Sequence, residues 1–217
     1  MNRLKNNTLI LSMLGYLVVV PVIAALFPKG NISRLVSIVL IDVLAVYMIY
    51  RCKDHFQPFF QKIDEINTNT ILLVIACMII LISGIFFAYF KFLVDPIENN
   101  NEMIIKQSVE SLGIVMIVSN IIFVPIFEEI LFKILLYKDG IVKKFKTKPW
   151  LCIVGLSVIF AGLHLAPNLT TFRIGLIFDF SYYLLFGLVT YFTYRKTDNI
   201  LFPIVIHIIC NLIAYVV

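Results

Sequence analysis

Apolar residues in this chain gather into seven long runs separated by short polar segments. The runs cover approximately residues 8–27, 32–50, 71–93, 112–136, 150–165, 172–194 and 200–217. A helix that crosses a bilayer needs about 20 apolar residues, so the pattern predicts seven membrane helices, of which the fifth and seventh are the shortest. Residues 97–110 are polar but periodic, with Ile97, Ile104, Ile105 and Val109 as the apolar positions. That spacing predicts a short amphipathic helix lying in the interface. The expected fold class is all-α, a polytopic transmembrane helix bundle forming one domain over residues 1–217. There is no internal repeat and no low-complexity segment.

Composition supports lipid as the solvent. Of the 217 residues, 61% are hydrophobic and only 14% charged, and the mean hydropathy is +0.98. Soluble domains carry roughly 25% charged residues, and no water-soluble core of this length hides so much apolar surface. The net charge of +5 does not indicate a nucleic-acid partner, because the basic residues cluster in short loops between apolar runs. The first run follows Arg3 and Lys5 but is long, lacks a small-residue cleavage site and leads into further spans. It is therefore expected to be a retained helix rather than a signal peptide. Cys52, Cys77, Cys152 and Cys210 include no CxxC pair and suggest neither a disulfide framework nor a zinc knuckle.

Loop charge sets orientation. The segment 137–149 carries Lys138, Lys143, Lys144, Lys146 and Lys148 and is expected in the cytoplasm. Seven spans then put the N-terminus inside and the C-terminus outside. The inside segments hold 12 Lys and Arg residues and the outside segments 5, while the acidic stretch from Asp95 to Glu110 falls outside.

Ionisable residues inside membrane spans are costly and mark function by default. The fourth run contains Glu128, Glu129 and Lys133, the fifth ends Phe160-Ala-Gly-Leu-His164, and the seventh contains His207-Ile-Ile-Cys-Asn211. Residues four apart on a helix share a face, which pairs Glu129 with Lys133, Phe160 with His164 and His207 with Asn211. Glu128 projects about 100° from Glu129, so Lys133 neutralises one carboxylate while the other faces elsewhere as a candidate general base. Pro125 removes a backbone donor just ahead of the acids. Measured by rise per residue, Glu128 and His207 lie at similar depths, roughly 12–13 Å from the cytoplasmic ends of their helices, and His164 lies roughly 21 Å along its own. Tilt or late entry of that helix is required to bring it level. Asp42 reads as structural. Asp179 reads as support for the site, as a partner for nearby polar groups, or as a residue facing a wet cavity. A small ion- or proton-coupled transporter with the acids as a relay is the third reading; it predicts repeated halves or broken helices, and neither is evident in the sequence. Cys210 lies on the flank of the His207–Asn211 face, with nothing nearby to activate a thiol.

The three motifs, in this order and on three separate runs, resemble the CPBP family of intramembrane proteases. That family comprises the type II CAAX prenyl endopeptidases and the bacterial Abi-type bacteriocin self-immunity proteins. Its pattern of paired glutamates in EExxxR, then FxxxH, then HxxxN or HxxxD stands here as Glu128-Glu129-x-x-x-Lys133, Phe160-x-x-x-His164 and His207-x-x-x-Asn211. Lysine replaces the arginine, keeping the charge but not the bidentate fork. The resemblance implies a catalytic core over residues 112–217, with residues 1–93 as accessory membrane helices. It implies that Glu128 and His164 activate a water, that His207 and Asn211 stabilise the oxyanion, and that Glu129 with Lys133 orients the first carboxylate, with Phe160 in support. The favoured mechanism requires no cofactor. The alternative is a zinc ion held by Glu128, His164 and His207, a donor set that zinc accepts. The implied activity is endopeptidase cleavage of a membrane-associated protein or peptide. The Lys-, Asn- and Ile-rich composition suggests a bacterial cell-membrane protein that processes peptides or confers self-immunity. A non-catalytic immunity or adaptor protein is the second reading.

Overall fold

The computed structural model describes residues 15, 30–56, 66–96, 100–141, 148–166 and 173–216. Among them every regular element is helical and none is a strand. The helices are α1 (Asn31–Arg51), α2 (Ile66–Val94), α3 (Asn100–Leu112), α4, α5 (Pro149–Leu165), α6 (Gly175–Thr197) and α7 (Leu201–Val216). A single 3-10 turn, Lys53–His55, follows α1. Helix α4 is composite: α-helical over Ile114–Val118, π-helical over Ser119–Phe123, α-helical over Val124–Glu129 and π-helical over Ile130–Ile141.

Four of these helices are long and apolar enough to cross a membrane: Asn31–Arg51, Ile71–Val94, Ile114–Gly140 and Gly175–Thr197. The apolar helices Pro149–Leu165 and Leu201–Ala214 are shorter, as their runs predicted. The chain is a polytopic helical bundle. The predicted first span, residues 8–27, lies outside the described residues, as do residues 97–99 of the amphipathic segment, whose remainder is α3. The fourth helix outlasts its predicted end at residue 136, since the π stretch carries it on to Ile141.

Local chemistry explains several boundaries. Gly113 takes φ 57 between α3 and α4, a left-handed conformation that costs glycine little. Pro149 opens α5 at a position where a missing N–H is harmless. Helix α6 ends with Arg195 and Lys196 in its last turn, complementing the helix dipole. Asp198 at φ 48 then returns its N–H to the Tyr194 carbonyl at 2.8 Å. The Asn199 side chain accepts the N–H of Leu201 at 3.0 Å and starts α7.

Contacts between helix ends sort into two sets. At one end His55 meets Asp139 at 3.7 Å and Lys138 meets Asp198 at 2.7 Å. At the other, Arg34 reaches Gln107, Lys91 pairs with Asp179 at 3.0 Å, and Asp95 approaches Arg173 and the Gly175 N–H. Strict alternation of spans requires this grouping. Packing inside is close: a Cβ on Gly187 would sit 3.0 Å from that of Ser157, so α5 and α6 meet almost backbone to backbone at this point. Gly175 is equally crowded, against Asp95, whereas a Cβ on Gly155 or Gly162 meets nothing within 4 Å among the described residues. The fully buried side chains include Phe127, Glu129, Ile130, Lys133, Tyr191 and Ile206, so the core runs along the face of α4 that meets α6 and α7.

Candidate active site

Glu128 and Glu129 close the short α-helical segment of α4, with a π stretch on either side. Such widened turns are rare and recur at functional sites. The two carboxylates diverge as helical geometry requires. Glu129 is fully buried. Its Oε2 lies 2.6 Å from Lys133 Nζ, an ion-pair contact off the line of a hydrogen bond, and its Oε1 accepts the Nδ1–H of His207 at 3.0 Å. Lys133 is 1% exposed, and its ammonium stands 4.4 Å from the centre of the Tyr191 ring. The Tyr191 hydroxyl in turn donates to the Phe132 carbonyl at 2.9 Å. The expected Glu129–Lys133 pair therefore forms, and a buried charge of each sign is cancelled locally, as a low-dielectric interior demands.

Glu128 faces the other way, toward the histidines. Its Oε2 is buried, has no hydrogen-bond partner, and lies 3.8 Å from Nε2 of His164 and 3.8 Å from Nε2 of His207. The tautomers follow from the partners. His164 Nδ1 is 2.9 Å from the Phe160 carbonyl, which can only accept, so Nδ1 carries the hydrogen. His207 Nδ1 is likewise committed to Glu129. Each ring therefore turns Nε2 toward Glu128. The offset in depth estimated for His164 along α5 is closed in the folded bundle.

An aromatic frame fixes the two imidazoles. His164 packs on Phe160 at 4.3 Å between centroids and stacks on Tyr183 at 4.4 Å. Phe160 is buried, stacks with Phe186 at 5.7 Å and meets Phe132 edge-on at 5.4 Å. Phe186 lies 4.7 Å from the His207 ring. Phe160 thus packs against His164, Phe186 and Phe132 at once. Tyr183, Phe186 and Tyr191 were not singled out from the sequence. The signal available was the inward stripe of α6, from Asp179 through Phe186 and Tyr191 to Tyr194, which carries no chemical signature.

Asn211 does not join this locus through any contact with Glu128 or the histidines. Its Nδ2 donates to the backbone carbonyl of Asn120 at 2.8 Å. Asp179 pairs with Lys91 at 3.0 Å at the far end of the bundle, as a partner for a nearby polar group rather than as support at the acids. Asp42 accepts the Ser119 hydroxyl at 2.6 Å, the structural role expected of it. Cys210 is buried and free.

Glu128, His164 and His207 have the donor types zinc accepts, and each histidine's Nδ1–H is already held by an acceptor, as is usual for metal-binding imidazoles. Their spacing is less suitable. Both 3.8 Å separations exceed the roughly 3.3 Å edge of a tetrahedron with ~2.0 Å bonds. Among the described residues no group of three or more His, Cys, Asp or Glu is close enough to hold a metal ion.

Residues 110–213, just under half of the chain, match the family model described as type II CAAX prenyl endopeptidase Rce1-like. No curated protein and no solved structure matches the chain.

Proposed function

We propose that the chain, which over residues 110–213 is similar to the type II CAAX prenyl endopeptidase Rce1-like family, hydrolyses a peptide bond of a membrane-associated protein or peptide by a metal-free, glutamate-driven attack of water. The observation that carries this reading is Glu128 Oε2, buried, without a hydrogen-bond partner and equidistant at 3.8 Å from the Nε2 atoms of two histidines. A catalytic base in a dry site needs that kind of placement: an acceptor free to take a proton, beside groups able to meet the charge that develops.

In the proposed reaction a water approaches the scissile carbonyl with one hydrogen directed at Glu128 Oε2. Glu128 takes that proton as the new C–O bond forms. His164, held through Nδ1 by Phe160, offers its Nε2 lone pair to the second hydrogen and so orients the nucleophile. The carbonyl oxygen becomes an oxyanion beside His207 Nε2, which donates when the ring carries both protons. When the C–N bond breaks, Glu128 passes its proton to the leaving nitrogen. Glu129, held by Lys133 and His207, takes no part in the proton transfers and fixes the geometry of both neighbours. Loop charge favours a cytoplasmic side for the His55–Asp139 and Lys138–Asp198 end of the bundle, and cleavage is proposed near that leaflet. Chain composition favours peptide processing or self-immunity as the setting.

The test is cleavage of fluorogenic peptides, one carrying a prenylated CAAX terminus and one without the lipid, by the full chain in proteoliposomes. Glu128→Gln should lower the rate by about 10²–10⁴-fold while leaving the bundle folded. A metal chelator should leave the wild-type rate unchanged. Equal turnover by wild type and Glu128→Gln would remove the proposal.

A further inference from the structure

The bond from Asn211 to Asn120 has a specific physical cause. Asn120 lies in the π stretch Ser119–Phe123, where the N–H of Val124 reaches back five residues to the Ser119 carbonyl. The next bond in that register would run from residue 125 to the carbonyl of Asn120. Residue 125 is proline and has no N–H to give. The Asn211 side chain, arriving from α7, brings a donor to that carbonyl at 2.8 Å.

We propose that Asn211 is a positioning residue that stands in for the missing N–H of Pro125 and so fixes the segment from which Glu128 and Glu129 project. The same π stretch is also held by α1, where Ser119 donates to Asp42. Helix α7 therefore grips α4 on both sides of Pro125: Asn211 ahead of it at Asn120, and His207 beyond it at Glu129. A shift of the chain at Pro125 would carry Glu128 away from both Nε2 atoms, and misplacement of a catalytic group by about 1 Å can cost 10²-fold in rate. The consequence for catalysis rests on the endopeptidase reading; the bond itself does not.

The distinguishing experiment restores the backbone donor. Asn211→Ala, Pro125→Ala and the double variant are prepared in the full chain and followed by thermal unfolding in detergent and by kcat and KM in proteoliposomes. Asn211→Ala should lower kcat on the order of 10- to 100-fold with little change in KM, and should lower the unfolding temperature. Pro125→Ala supplies an N–H at position 125, so the double variant should recover most of both losses. An oxyanion donor cannot be replaced in this way. A double variant as slow and as unstable as Asn211→Ala overturns the proposal, and so does recovery of stability without recovery of kcat. Should Asn211→Ala fail to fold, Asn211→Leu keeps the volume while deleting the donor, and the same rescue applies. If wild type cleaves nothing and Glu128→Gln makes no difference, the endopeptidase reading fails, while the unfolding measurements still decide whether Asn211 replaces the proline donor.

Discussion

Helices α2 and α4 are both long enough to cross the bilayer, yet they solve opposite problems. Along α2, Ile82 is 62% and Ile85 71% exposed. Lipid tails are as apolar as these side chains, so nothing drives them into the protein, and length and apolarity suffice. Along α4, Glu129 and Lys133 are sealed inside the protein, and each needs a named partner to be there. In this bundle apolar side chains face the lipid as well as the core, and the charges held inside are the ones that need named partners. The contrast is broken most severely by stranding one of the buried charges. Lys133→Met keeps a long flexible chain but leaves Glu129 with only His207. It should cost about 3–5 kcal/mol, read as reduced resistance to denaturant in detergent. A loss under about 1 kcal/mol, within the range of an exposed pair, would mean that water reaches Glu129 and that the interior is not dry.

That contrast also explains which features were legible in advance. The spans stood out because apolar runs of this length have few alternative uses, and Glu128, Glu129, His164 and His207 stood out because charge and imidazole in such runs demand an explanation. The face shared by Glu129 and Lys133 followed from four-residue spacing and survived even though the chain widens just after Glu129. The widening itself was not legible. In a helix apolar on most sides, periodicity does not separate 3.6 residues per turn from a wider coil, and Pro125 marked only that some backbone bond was missing. Tyr191 and the partner of Asn211 were hidden for a related reason. Tyr191 and Asn211 donate to main-chain carbonyls, at Phe132 and Asn120, and a carbonyl has no letter in the sequence. Gly155 and Gly162 look like Gly175 and Gly187 in the sequence; only the position of the neighbouring helix separates the open pair from the crowded one.

A milder test probes one of these hidden contacts. Tyr191→Phe keeps the ring that faces the Lys133 ammonium and removes only the hydroxyl that meets the Phe132 carbonyl. The expected cost is about 1 kcal/mol, the usual net value of one intramolecular hydrogen bond, measured by the same denaturation. Adding Lys133→Met to Tyr191→Phe sharpens the point, because residues sharing a network couple and distant ones add. Strict additivity would show that the hydroxyl braces the backbone without affecting the lysine.

The smallest effect belongs on the lipid side. Ile82→Ala on α2 removes methyl groups that touch few protein atoms, and no protein cavity remains because lipid follows the new surface. The cavity contribution that dominates core truncations is then absent, and the change in unfolding free energy should stay within about 0.5 kcal/mol, as for substitutions outside packed regions. A larger loss would carry definite information. It would mean that the outer face of α2 around Ile82 is covered by protein rather than by lipid, either by another part of this chain or by a second copy. Dependence of the loss on protein concentration in detergent would single out the second copy, since association stabilises by mass action and an intramolecular cover does not.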